Sequence, residues 1–174
     1  VAIVNGAAKV RTLSGQSVHF VAPAVVHASS FEFIRENIEK CERKLRDGDD
    51  RGAITNARSL CEDVLCDIEK QLDASASPYD GGLPKLYKRV RKLLKMDPDE
   101  YEKDGPVVQL LRGLVTVVDG FAGMSNSMGD RHGGSPIKPK PHHAALAVNA
   151  ANTLCSFVSA SFAQQSQRGA KLGG

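Results

Sequence analysis

Residues 29–72 read SSFEFIRENIEKCERKLRDGDDRGAITNARSLCEDVLCDIEKQL, and their periodicity decides the fold. Phe31, Ile34, Ile38, Cys41 and Leu45 recur every three or four residues, the spacing of one apolar stripe on a helix. Ile54, Ala57, Cys61, Val64, Leu65, Ile68 and Leu72 repeat that spacing after a break. Ser29-Ser-Phe-Glu32 has the form of a capping box at the start of the first helix. The Asp47-Gly48-Asp49-Asp50 connection allows only a turn, so the two helices form an antiparallel pair. Arg58 and Glu62 stand four apart beside the second stripe, the spacing of an intrahelical ion pair.

Downstream the same period continues. After a loop over residues 73–83, Pro84 at a first turn opens a short helix expected to reach Met96. An acidic connector, residues 97–104, leads to a helix from about Val107 to Met128. Gly113, Gly120 and Gly123 lie on that helix, and each costs it about 1 kcal/mol against Ala. They imply close contact with a neighbouring helix or a bend. The last helix, about His142–Gln167, is Ala-rich and half-apolar all round, the pattern of a central element.

Upstream the period falls to two. Val1–Val4, Val10–Leu13 and Ser17–Val21 are β-branched runs separated by Asn5-Gly6 and Ser14-Gly15, and Asn-Gly is a strong hairpin signal. The expected fold is mainly α: a four- to five-helix bundle with a small N-terminal β-hairpin or meander. Residues 1–28 form the β element and linker, 29–168 the helical bundle, and 169–174 a disordered tail.

Composition agrees. Hydrophobic residues make up 41% of 174, enough for one core, while aromatics are 5% and Trp is absent, so that core is aliphatic. The net charge of +3 is too small to mark a nucleic-acid binder, so any such reading rests on where the charges sit. No run of about 18 apolar residues is present, which predicts no transmembrane helix. The start, Val1-Ala-Ile-Val-Asn-Gly, has neither the basic region nor the apolar run of a signal peptide. Cys41, Cys61, Cys66 and Cys155 have no zinc-knuckle spacing and read as reduced, buried or half-buried thiols, as in a reducing cytoplasm.

Four segments carry candidate chemistry. The first, Asn126–Lys140, ends a helix on SNSMGDRHGG, with His132 just past the C-terminus, where the dipole favours a cationic imidazole. His132, Arg131 and Asn126 together are a group set suited to a phosphodiester: a proton carrier, an anion holder and an orienting amide. A polar cap followed by a surface loop is the alternative.

The second is Lys138-Pro-Lys140-Pro-His142-His143, a stiff cationic turn at a helix N-terminus, which suits an anion. Zinc held by His132, His142 and His143 is disfavoured, because no Cys or carboxylate stands at a suitable spacing. The third is a basic stripe of Lys85, Lys88, Lys92 and Lys95, able to track a nucleic-acid backbone or to serve as a solvated face that residues 97–104 neutralise. The fourth is Arg58 with Glu62, either a structural pair or a site neutral until a ligand arrives.

GAITNARSLCE (52–62), LPKLYKRV (83–90), the glycine-bearing helix before Asn126, GDRHG (129–133) and HHAALAVNA (142–150) occur in that order. Together they resemble the C-terminal domain of abortive-infection (Abi) phage-defence proteins, over about residues 30–165. That family is similar in pattern to the HEPN all-helical domains, many of them metal-independent RNases that work as dimers. Their motif is an Arg, a polar residue such as Asn, then a His several residues on.

The resemblance puts Asn126 and His132 on the polar and His positions, and Ser125 where the Arg belongs. It implies a defence protein acting on RNA as a homodimer or higher homo-oligomer, cytoplasmic, with no membrane, cofactor or metal. His132, Arg131 and Asn126 would be catalytic in an endoribonuclease toxin. Lys138, Lys140, His142, His143, Lys88, Lys92 and Arg58 would contact RNA. The alternative is a non-catalytic RNA- or protein-binding and oligomerisation module, serving a partner defence protein.

Overall fold

A computed structural model describes residues 28–101, 105–130 and 137–172, together with the backbone of three strands within residues 2–20. Side chains are described from Glu32 to Arg168 within those ranges. The capping box at Ser29 therefore lies outside the described side chains.

Among the described residues, five α-helices follow the sequence periodicity: α1 (Ala28–Arg46), α2 (Asp50–Leu72), α3 (Leu83–Leu93), α4 (Pro106–Met128) and α5 (Pro141–Leu172). A 3-10 turn covers Pro98–Glu100. The strands β1 (Ala2–Val4), β2 (Ala7–Arg11) and β3 (Ser17–Phe20) pair antiparallel in the order β1-β2-β3. Val4 faces Ala7 across a two-residue connection, and Val10 faces Val18. This is the expected meander, with its second strand starting three residues earlier than Val10.

The turn between α1 and α2 is built as its sequence requires. Gly48 has φ +73°, a conformation glycine adopts without the Cβ penalty. Asp49 then caps α2, its side chain accepting from the Gly52 N–H at 2.9 Å. Lys44 reaches back to the same carboxylate at 2.6 Å, and these two bonds hold Asp49 below the usual carboxylate range.

The core is aliphatic. Ile34, Ile38 and Cys41 of α1 meet Ile54, Ala57, Cys61, Leu65 and Ile68 of α2 and Ala147, Ala151, Leu154 and Val158 of α5, all buried. Helices α1, α2 and α5 pack on one another, with α3 against α2 and α4. The alanines of α5 let it approach α2 closely, so it is central as its composition predicts. All four cysteines are free, and Cys61 lies 3.8 Å from Cys155 in the core. Trimming a large member such as Leu65 to Ala should cost about 2–5 kcal/mol.

Two helix ends are corrected. Helix α3 stops at Leu93 rather than Met96, because Lys95 turns left-handed (φ 55°) while Met96 N donates back to Arg91 O. Helix α5 continues to Leu172, past the end expected near Gln167, through the helix-forming residues Ala170, Lys171 and Leu172. By length and composition alone, α4 and α5 also pass the test for a membrane-crossing helix, with mean hydropathy of 1.4 and 1.3 over their best windows, a test that the core helices of a bundle meet equally. An uninterrupted apolar run misses them, because an averaged window tolerates glycine and isolated charges.

Candidate functional site

Arg51, Thr55, Arg58 and Glu62 succeed one another at steps of four, three and four along α2, so they share one face. That face receives the C-terminal end of α4 and the loop after it. Arg51 donates to Met128 O at 3.4 Å and to Ile137 O at 2.9 Å, gripping both ends of the segment between them. Thr55 Oγ1 accepts from Asp130 N at 2.9 Å. Gly129 is buried in this corner: a Cβ there would stand 2.6 Å from Ser125 O and 3.0 Å from Thr55 Oγ1. Only glycine lets the chain leave α4 so close to α2.

Arg58 is the hub. Its side chain is 4% exposed and it donates to α2, to α4 and to the loop before α3. Nε donates to Glu62 Oε1 at 2.7 Å, and Nη1 donates to Ser125 Oγ at 2.8 Å and Asn126 Oδ1 at 2.7 Å. Nη2 donates to Gly81 O at 2.7 Å, tying in the loop between α2 and α3. Burial works against the charge, but the bonds and attraction of Glu62 and Tyr79 outweigh it, so the guanidinium stays more firmly protonated than usual.

Tyr79 donates to Glu62 Oε1 at 2.7 Å. Burial, then that carboxylate, push its phenol up to about 12. The Arg–Glu pair read from the sequence is therefore real, and it organises a wider network.

The network reaches the surface at Asn126. Asn126 is exposed, and its Oδ1 is taken by Arg58. An amide has one acceptor and two donors, so the bond turns the Nδ2 group outward as a fixed donor pair. Ser125, by contrast, is 2% exposed and looks inward, its Oγ donating to Ala122 O at 3.0 Å and accepting from Arg58.

The sequence-derived residues fall into three groups. Arg58, Ser125 and Asn126 converge. Arg131 and His132 lie outside the described residues, although the segment carrying them is gripped at both ends by Arg51. Lys138, Lys140 and His142 are exposed at the start of α5. His143 is half-buried there, its Nδ1 accepting from Lys140 N at 3.4 Å, with its ring edge-on to His142.

Lys88 and Lys92 are exposed on α3, and no ion pair among the described residues involves them. The acidic connector does not neutralise this stripe through Asp97. Asp97 turns inward, 1% exposed and 3.4 Å from the buried Arg91.

Arg51, Thr55, Tyr79 and Gly129 are absent from the sequence-based set. The signal for the first two was present, since polar residues at 51, 55, 58 and 62 recur at helical spacing within an apolar helix. Nothing local marks Tyr79, which reaches the network only across the fold.

Among known families, the Abi_C model, described as a HEPN-like domain, matches residues 32–162. No curated protein and no solved structure matches the chain significantly. The match covers α2, α3 and α4, most of α1 and α5 and the whole Arg58 network, so the chain belongs to the Abi_C family of HEPN-like domains, a module of the abortive-infection, or defence, type.

Proposed function

We propose that this defence module acts on RNA as a metal-independent endoribonuclease, with Asn126, Arg131 and His132 as its working groups. His132 serves as general acid and base, Arg131 holds the anionic phosphate, and Asn126 orients it. Lys138, Lys140, His142 and His143 line the approach at the α5 N-terminus, and Lys88 and Lys92 add backbone contacts from α3.

The observation that carries this reading is the 2.7 Å bond from Arg58 to Asn126 Oδ1. It fixes an exposed pair of N–H donors one residue from Ser125, where the related nucleases have their Arg. Pre-set donors at the point where charge develops are the usual means of stabilising such a transition state. Arg58 itself is too buried to touch RNA, so its part is to position Asn126.

The test uses the purified full chain with structured and single-stranded RNAs, in the presence of a chelator. Cleavage should occur, and His132→Ala should abolish it and its toxicity on expression while leaving the melting temperature unchanged. A folded wild-type chain that leaves every RNA uncut ends the enzymatic reading.

A second reading is supported by Ser125, buried where an Arg would have to face substrate. In that reading the module binds RNA or a partner protein without cutting. RNA retention without cleavage, indifferent to His132→Ala, would select it.

A further inference from the structure

At the opposite end of α4 from Asn126, the described residues form a cleft of about 610 Å³. That volume lies within the roughly 300–1,000 Å³ of ligand sites. The end of α3, the first turns of α4 and the C-terminal half of α5 are its walls. Leu94, Met96 and Leu111 line it as buried side chains, whereas Tyr101, Val107 and Phe157 line it with large apolar surface left in water. Apolar surface gathered in a concavity marks a place that something apolar enters.

The charges at the cleft have one sign. Lys95 and Arg168 are exposed there, and among the described residues no carboxylate lines it. No ion pair among the described residues involves either cation. Lys95 also holds φ 55°, a conformation that glycine would adopt without strain. A costly backbone retained in a concave site points to a use for the side chain it carries.

Gln165 adds a third feature. Its Nε2 donates to Leu93 O at 3.1 Å, which fixes the orientation of the amide, and its Oε1 is buried with no partner. Such an acceptor is completed by an N–H or O–H donor.

We propose that this cleft captures the C-terminal end of a peptide whose last side chain is apolar. The terminal carboxylate meets Lys95 and Arg168, and the last side chain enters beside Tyr101, Val107 and Phe157. The last residue's N–H reaches Gln165 Oε1. An ionised fatty acid matches the lining and the charges but brings no donor for Gln165. Val107 and Asn126 lie 19 residues apart on α4, about 28 Å along its axis, so the peptide site stands independently of the RNA reading.

Fluorescence anisotropy of the full chain with labelled pentapeptides tests this. Peptide acids ending in Leu or Phe should bind, and those ending in Asp should not. Amidating the C-terminus, or methylating the last peptide nitrogen, should weaken binding at least about tenfold. Lys95→Gly should weaken it by a similar factor while its melting temperature rises, so the loss cannot be laid to misfolding.

Equal binding of acid and amide, unchanged affinity in Lys95→Gly, or no binding of any Leu- or Phe-ending acid at about 1 mM would overturn the proposal. So would binding of decanoate where no peptide acid binds, which would assign the cleft to an acyl chain. RNA cleavage and retention measured on the same samples report separately on the other reading.

Discussion

Arg58 on α2 and Asn126 on α4 stand 68 residues apart in the chain and meet at 2.7 Å, with Glu62 balancing the guanidinium from the other side. Removing Arg58 leaves Glu62 buried without its counter-charge, and breaking such a pair typically costs about 3–5 kcal/mol. Arg58→Met should lose stability on that scale in urea unfolding, while Asn126→Ala should lose only about 1 kcal/mol. Arg58→Met/Glu62→Leu should regain much of the loss. If RNA affinity falls in Asn126→Ala at near-normal stability, the amide contacts the ligand.

Two glycines near the end of α4 should respond with opposite signs. Gly129→Ala forces a Cβ to 2.6 Å from Ser125 O, and backbone cannot yield as a flexible side chain can. Overpacking of this kind costs about 1–3 kcal/mol. Gly123→Ala meets nothing within 4 Å and should stabilise by about 1 kcal/mol through helix propensity. Paired thermal melts decide it, and equal shifts would refute the packing account of Gly129.

Alkali should unfold the protein in two overlapping steps. Burial pushes the Cys41 thiol up to about 11 from its ordinary 9.0, and pushes Tyr79 and Tyr87 up to about 12 from 10.0. A raised folded-state value means that the fold favours the protonated form. Its contribution is complete below the unfolded value and is lost as pH rises through the folded one. The Cys41 part fades between pH 9 and 11, and the tyrosine part between pH 10 and 12. Urea midpoints should decline from pH 9 upward, and Cys41→Ala should make the early part of the decline shallower without abolishing it, because burial also raises the Cys61 and Cys66 thiols.

Lys95 holds φ 55° just past the end of α3, a region costly to a residue with a Cβ. Lys95→Gly should raise stability by about 1 kcal/mol, because glycine adopts that conformation freely. Chemical denaturation reads the change directly, and a loss would show that the Lys95 side chain contributes more than its backbone strain costs.

Much of the bundle was legible because amphipathic periodicity is a local property. The apolar stripe from Ile34 to Leu45 and the one from Ile54 to Leu72 each name the face that enters the core, and Gly48 with Asp49 names the turn between them. Boundaries were less legible. The end of α3 depends on Lys95 accepting a left-handed turn, which Lys does not advertise, and Asp97 reads as surface until Arg91 is seen to draw it inward.

The candidate site was half legible. Asn126 and the Arg58–Glu62 pair could be read from residue type and spacing, but their union could not.

By itself, the sequence determined the helical class, the helix order, the reduced thiols and the family, since each is written in short-range pattern or in the order of motifs. Tertiary structure alone decided that Arg58 of α2 bonds Ser125 and Asn126 of α4, that Arg51 grips both ends of the segment holding His132, and that the α4 glycines face open space. The reason is physical: a side chain's partners across the fold are set by which helix faces are brought together. A periodic stripe specifies that a face is buried without specifying what it meets.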